Sequence, residues 1–143
     1  MTILVTGGAG YIGSHAVKAL KAAGHTVIIF DSLENGHEYV LDTLHCRDTF
    51  VKGDIRNLED LEKAFSQYPV DAVMHFAAYA LVGESVKEPE KYLRNNTLGT
   101  INLLYAMAKA NVHKLIFSST CAVYGEPQEV PIHEGIPLNP VNP

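Results

Sequence analysis

Short runs of β-branched and aliphatic residues alternate along the chain with longer stretches in which apolar positions recur every third or fourth residue. The runs predict strands at Thr2 to Thr6, Thr26 to Phe30, Thr49 to Lys52, Asp71 to Phe76 and His113 to Ser118. Between the first two, the spacing predicts a helix from Tyr11 to Ala23, with Ile12, Ala16, Ala19, Leu20 and Ala23 on one face and Gly24 ending it. Asn57, with Asp60 following, predicts the capped start of a helix whose apolar stripe is Leu58, Leu61 and Phe65. Pro89 opens a longer helix in which Ile101, Leu104, Tyr105 and Ala108 recur at helical spacing. Gly135 to Pro143 reads as a proline-rich loop. Strand and helix alternating in this way is the pattern of βαβ units, so the expected fold is α/β: a Rossmann-like, doubly wound parallel sheet of about five strands.

Composition narrows the function classes. The chain has 143 residues, 47% hydrophobic and 19% charged, which suits one globular domain. Its net charge of −5 comes with no cluster of lysine or arginine, so no nucleic-acid partner is expected. The most apolar segment, Ala72 to Val82, is far shorter than the ~20 residues that span a bilayer and reads as a buried strand and turn. Met1 is followed at once by a strand pattern, with no room for a leader, so a cytoplasmic protein without membrane attachment is expected. Cys46 and Cys121 make no disulfide framework. The seven histidines show no ligand spacing, and no metal is expected.

The chemistry is concentrated behind the first strand, in TGGAGYIG (Thr6 to Gly13). A glycine-rich turn between strand and helix lets the backbone approach a pyrophosphate, and the free N–H groups of the helix start attract it. The glycines fit two registers: Gly8, Gly10 and Gly13, or Gly7, Gly10 and Gly13. Asp31 follows the second strand, where a carboxylate accepts hydrogen bonds from the hydroxyls of an adenosine ribose. No lysine or arginine stands between Asp31 and Arg47 to neutralise a 2′-phosphate, so NAD is favoured over NADP.

Six ordered motifs, TGGAGYIGSH, GDIRN (Gly53 to Asn57), HFAA (His75 to Ala78), VGES (Val82 to Ser85), NN-x-x-GT (Asn95 to Thr100) and FSST-x-x-VYG (Phe117 to Gly125), run through the whole chain. Together they resemble the UDP-glucose (UDP-galactose) 4-epimerase family of the extended short-chain dehydrogenase/reductase superfamily. The resemblance selects the register Gly7, Gly10, Gly13. It implies that Tyr11 and Ile12 lie along the pyrophosphate, that Asp31 and Asn35 hold the adenosine ribose, and that Asp54 and Ile55 meet the adenine. Phe76, Ala77, Ala78, Asn95 and Ser118 complete the implied cofactor contacts. Ala80 is a departure, because some members of the family carry a lysine there.

The resemblance also implies an activity: exchange of UDP-glucose and UDP-galactose through a 4-keto sugar, with bound NAD as the hydride carrier and a UDP-hexose as substrate. Thr120 matches the position that hydrogen-bonds the reacting hydroxyl. Cys121 and Ala122 stand where related dehydratases carry an Asp-Glu pair, so dehydration is not expected. The family's base is a Tyr-x-x-x-Lys pair placed after the threonine. The one such pair here, Tyr105 and Lys109, precedes the fifth strand and is expected to be non-catalytic, with Tyr105 packed and Lys109 favouring the helix C-terminus. PLNPVNP (Pro137 to Pro143) resembles the segment that leads into the family's tyrosine. Residues 1–143 are therefore expected to be the NAD-binding part of a homodimeric epimerase and to be inactive alone. A non-catalytic NAD-binding module and another sugar-nucleotide epimerase or reductase are the alternatives.

Overall fold

The computed structural model describes residues 1–143. Its strands are β1 (Thr2–Thr6), β2 (Thr26–Asp31), β3 (Phe50–Lys52), β4 (Ala72–His75) and β5 (Leu115–Phe117). They form one parallel sheet in the order β3-β2-β1-β4-β5. The chain starts in the middle of the sheet, builds outward to β3, returns past β1 to β4 and continues to β5. The order reverses beside β1, and a crevice opens there at the carboxyl ends of the strands.

Parallel strands need helical crossovers, and these cover both faces of the sheet. Side-chain alternation divides the core accordingly. Leu4, Ile28, Phe30 and Val73 pack with Leu61, Ala64 and Phe65 of α3 (Leu58–Gln67) and with Leu103, Ala106 and Met107 of α6 (Gly99–Lys109). Ile3, Val5, Val27 and Ile29 pack with Val17 of α1 (Tyr11–Ala22), Leu41 of α2 (Tyr39–Thr43) and Cys46. Each large aliphatic side chain buried in this way contributes about 1.5–3 kcal/mol. No helix is long and apolar enough to cross a membrane.

The five strands lie where the hydrophobic runs predict them, with ends shifted by a residue or two. The helix faces differ more. Ile12 and Ala19 of α1 are exposed, and the buried stripe is Gly13 and Val17 with Ala16 and Leu20 partly covered. The expected Pro89 helix is three pieces: α5 (Pro89–Tyr92), a π-helical turn (Leu93–Leu98) and α6. On α6 the predicted stripe of Ile101, Leu104 and Tyr105 faces outward, and burial belongs to Leu103, Ala106 and Met107. Asn57 caps α3 by accepting from the Glu59 N–H, but Asp60 reaches back to the Asp54 N–H rather than to the cap residue. The short helix α4 (Val82–Lys87) has no periodic signal of its own.

Candidate functional site

At the carboxyl edge of the sheet the backbone keeps pairing briefly beyond the strands. Gly7 N–H donates to Phe30, Gly53 N–H to Asp31, Phe76 N–H to Thr6 and Ser118 N–H to His75. Four loops are thus anchored at one edge and diverge around one cleft of about 320 Å3.

The glycine loop shows which register is used. Gly7 has φ +70°, the left-handed region, and a Cβ there would stand 2.7 Å from the Ala77 nitrogen. Gly10 N–H donates to the Gly7 carbonyl at 3.1 Å, and a Cβ on Gly13 would come within 2.1 Å of that same oxygen. Gly8 instead presses against Ile29 in the core and does not line the cleft. The three interlocked glycines are Gly7, Gly10 and Gly13. α1 then begins at Tyr11 with no side-chain cap and no acid in its first turn, so its first N–H groups remain free for an anion.

Asp31, at the end of β2, is 7% exposed. Its Oδ2 accepts from the Ala9 N–H and its Oδ1 from the Leu33 N–H, each at 2.9 Å. A carboxylate offers about four acceptor sites. Each oxygen therefore keeps a lone pair for a ligand while the backbone fixes the group's orientation. That arrangement suits a vicinal diol.

Every residue predicted to contact a cofactor lines this one cleft: Gly7, Gly10, Tyr11, Ile12, Gly13, Asp31, Asn35, Asp54, Ile55, Phe76, Ala77, Ala78, Asn95 and Ser118. Phe30, Ser32, Glu34, Gly36, Gly53, Tyr79 and Ala80 line it as well and are absent from the sequence-based set. Proximity to Asp31 in the chain is a signal that could have found the β2-loop members. Nothing local marks Tyr79.

Polar groups brace the walls. Asn96 Oδ1 accepts from the Tyr79 N–H and from Asn95 Nδ2, both at 2.9 Å, while Asn96 Nδ2 donates to the Tyr79 carbonyl at 3.0 Å. The π-helical turn that supplies Asn95 and Asn96 is thereby tied to the loop after β4. π-turns of this kind recur at functional sites. Arg56 lies beside Asp54 and holds its carboxyl below the usual range; the guanidinium itself is shifted upward by the same contact. Burial and a hydrogen bond to Glu34 push the Tyr79 phenol up.

Beneath the cleft, His75 is 3% exposed, and burial pulls its pKa down to about 4. Thr100 donates its hydroxyl to the Asn96 carbonyl at 2.6 Å, so it accepts from His75 Nε2 at 3.1 Å. His75 Nδ1 then accepts from the Thr6 hydroxyl at 2.5 Å. The neutral ring is fully paired and joins the ends of β1 and β4 to α6.

Thr120 is exposed on the loop after β5, at the same edge of the sheet, but does not line the cleft. Its Oγ1 accepts from the Ala122 N–H at 3.2 Å and caps the 3-10 turn Cys121–Tyr124, leaving the hydroxyl proton available to donate elsewhere. Tyr105 and Lys109 are away from the cleft. Tyr105 is 69% exposed rather than packed, and Lys109 pairs with Glu62 of α3 at 2.9 Å rather than with the helix terminus.

The family model for the NAD dependent epimerase/dehydratase family matches residues 3–143. The chain belongs to this family. Among its relatives, the UDP-glucose 4-epimerase of Lacticaseibacillus casei is 52% identical over the whole chain, and that of Lactobacillus helveticus is 51% identical. The chain spans 42% of the length of each. Solved structures of the family agree. The UDP-glucose-4-epimerase from Stenotrophomonas maltophila, with bound NAD and formylated UDP-arabinopyranose, superimposes with a TM-score of 0.90 at 43% identity, covering 99% of this chain and 44% of that one. The Brucella ovis enzyme in complex with NAD gives 0.89 at 45% identity, covering 99% and 42%.

Proposed function

We propose that residues 1–143 form the NAD-binding portion of a UDP-hexose 4-epimerase that exchanges UDP-glucose and UDP-galactose. The observation that carries this reading is the convergence of all the expected cofactor contacts on one cleft whose glycine walls leave no space for a Cβ. The residues fit the group. The loop of Gly7, Gly10 and Gly13 and the open start of α1 suit a pyrophosphate, and the half-used carboxylate of Asp31 suits a ribose diol. The relatives' names and the NAD held in their structures point the same way.

When bound, NAD supplies a hydride acceptor and donor for the sugar C4. The chain's own residues contribute by position. Asn95 and Phe76 bound the cleft from the π-turn and the β4 loop, and neutral His75 fixes the floor. Thr120 presents a hydroxyl able to donate to the reacting sugar oxygen. A base is needed to remove and restore the C4 hydroxyl proton. No Tyr-x-x-x-Lys pair lines this cleft, and the relatives are more than twice as long, so the base and the uridine site belong to the remainder of such a protein. The 143 residues alone are inactive on this reading. A homodimer of the whole protein is part of it: Leu93, Leu98, Ile101, Leu104 and Tyr105 make an uncovered apolar face along the π-turn and α6. A cytoplasmic location accompanies it.

Two measurements test the proposal. Calorimetric titration of the 143-residue chain with NAD+ examines the cleft, and absence of binding would remove the cofactor assignment. Conversion of UDP-galactose to UDP-glucose by a protein extended to family length examines the reaction. Binding without conversion would leave a dinucleotide module and reject the epimerase.

A further inference from the structure

Glu34, Arg56 and Tyr79 sit on the loops that leave β2, β3 and β4, and the fold brings them into one cluster at the rim of the cleft. Arg56 grips Asp54 through Nε, at 2.9 Å to each carboxylate oxygen, and through Nη2. Nη2 also donates to Glu34 Oε2 at 2.8 Å, and Nη1 donates to the Tyr79 hydroxyl at 3.0 Å. The Tyr79 hydroxyl in turn donates to Glu34 Oε1 at 2.6 Å. Asp54, Glu34 and Tyr79 all line the cleft, and Glu34 shares the β2 loop with Asp31. No lysine or arginine lines it. Lys91 lies 4.9 Å from the centre of the Tyr79 ring but is paired with Glu84 at 2.7 Å.

An adenosine ribose held by Asp31 would turn its 2′ position toward this loop. A 2′-phosphate there would bring roughly two negative charges beside two carboxylates and would need a guanidinium to answer them. Arg56 is the arginine at the rim, and its donors face Asp54, Glu34 and Tyr79.

We propose that Glu34 sets the cofactor selectivity of this site, both by placing a second carboxylate near Asp31 and by sharing with Asp54 the Nη2 of Arg56, so that this donor is not offered to a 2′-phosphate. The inference rests on the reading of the cleft as a dinucleotide site. Glu34 does not act through the ribose hydroxyls, which are assigned to Asp31 and Asn35. It acts by charge and by occupying a cation.

The test is calorimetric titration of the full chain with NAD+ and with NADP+, for wild type, Glu34→Gln, Glu34→Ala and the double variant Glu34→Gln with Arg56→Met, each checked for folding by circular dichroism. Both single variants should lower the ratio of NAD+ to NADP+ affinity by about tenfold or more. The gain for NADP+ should shrink as salt is raised and shrink again in the double variant, where relief of the carboxylate charge remains but no guanidinium is left to turn. An unchanged ratio in the Glu34 variants, with NAD+ still bound, overturns the proposal. A gain as large in the double variant as in Glu34→Gln alone overturns it too. Wild type that binds neither cofactor removes the dinucleotide reading itself, an outcome distinct from the other two.

Discussion

Between about pH 7.5 and about pH 5, acid should weaken this domain through His75. His75 is buried as a neutral ring whose two nitrogens are already committed, Nδ1 accepting from Thr6 and Nε2 donating to Thr100. Protonation would place a second donor against the Thr6 hydroxyl, which must then turn away and abandon its own proton's partner. The charge would also sit in a site that is 3% exposed. The ring's pKa of about 4 in the fold lies below the 6.5 of the unfolded chain. The unfolded state therefore takes up the proton first as pH falls, and stability is intact above about pH 6.5 and lost progressively down to about pH 4. At ~1.4 kcal/mol per pH unit the full loss is about 3 kcal/mol, of which about 2 kcal/mol falls between about pH 7.5 and about pH 5. Against a typical domain stability of ~5–15 kcal/mol this is large. Urea unfolding across that interval, for wild type and for His75→Gln, measures it. The variant is expected to be less stable at neutral pH, because it loses the fitted pair of hydrogen bonds, yet to lose about 2 kcal/mol less than wild type on acidification. Parallel pH profiles for the two proteins would show that His75 is not the group being titrated and would refute the reasoning.

Gly13→Ala should abolish or severely weaken NAD+ binding, by roughly tenfold or more, because the new methyl would lie 2.1 Å from the Gly7 carbonyl and force the loop open; calorimetry with circular dichroism as a fold control checks this. Wild type should prefer NAD+ to NADP+ by about tenfold or more, since a charge-assisted hydrogen bond contributes ~1.5–3 kcal/mol, and equal binding of the two would sink the assignment of Asp31. In a protein extended to family length, Thr120→Ala should lower turnover sharply while Tyr105→Phe changes it little. Steady-state kinetics decides between them, and a loss of about a hundredfold in Tyr105→Phe would contradict its placement.

The sheet was legible because each strand is a compact apolar run and the parallel arrangement buries it on both sides. β1 and β2 are the clearest cases, with Leu4, Val5, Ile28 and Ile29 all but inaccessible. Helix faces were not legible to the same degree, and α6 shows why. Two apolar stripes run along it: Ile101, Leu104 and Tyr105 on one side, Leu103, Ala106 and Met107 on the other. Periodicity detects both and ranks neither. A phase counted forward from Pro89 is also lost at the π-turn, where the wider winding shifts the following residues around the axis. On α1 the reason is the cleft. Ile12 is apolar and 61% exposed because it lines the cleft instead of the core.

The candidate site was legible where chemistry and sequence position coincide, and obscure where the fold supplies the neighbour. Gly7, Gly13 and Asp31 announce themselves because each lies at or just behind the end of a strand that its own apolar run marks. Arg56 does not. A search for a cation near Asp31 runs naturally along the β2 loop and finds none before Arg47, whose guanidinium is turned to Glu38 and Asp42. Yet Asp31 pairs with Lys52 in the parallel register of β2 and β3, so the chain just beyond Lys52 emerges next to the chain just beyond Asp31. The loop GDIRN therefore starts beside Asp31, as does the loop that follows Asp31. In a parallel sheet the relevant neighbourhood of a strand end is the set of adjacent strand ends. Charges within a few residues of each belong in any account of selectivity. Applied to β2 and its neighbour β3, that rule gathers Glu34, Asp54 and Arg56; Tyr79 reaches the same cluster from β4, on the far side of β1, and its hydrogen bonds to Arg56 and Glu34 close it. It leaves Tyr105 and Lys109 out, because a helix that leaves the carboxyl edge carries its distal turns to the opposite end of the sheet.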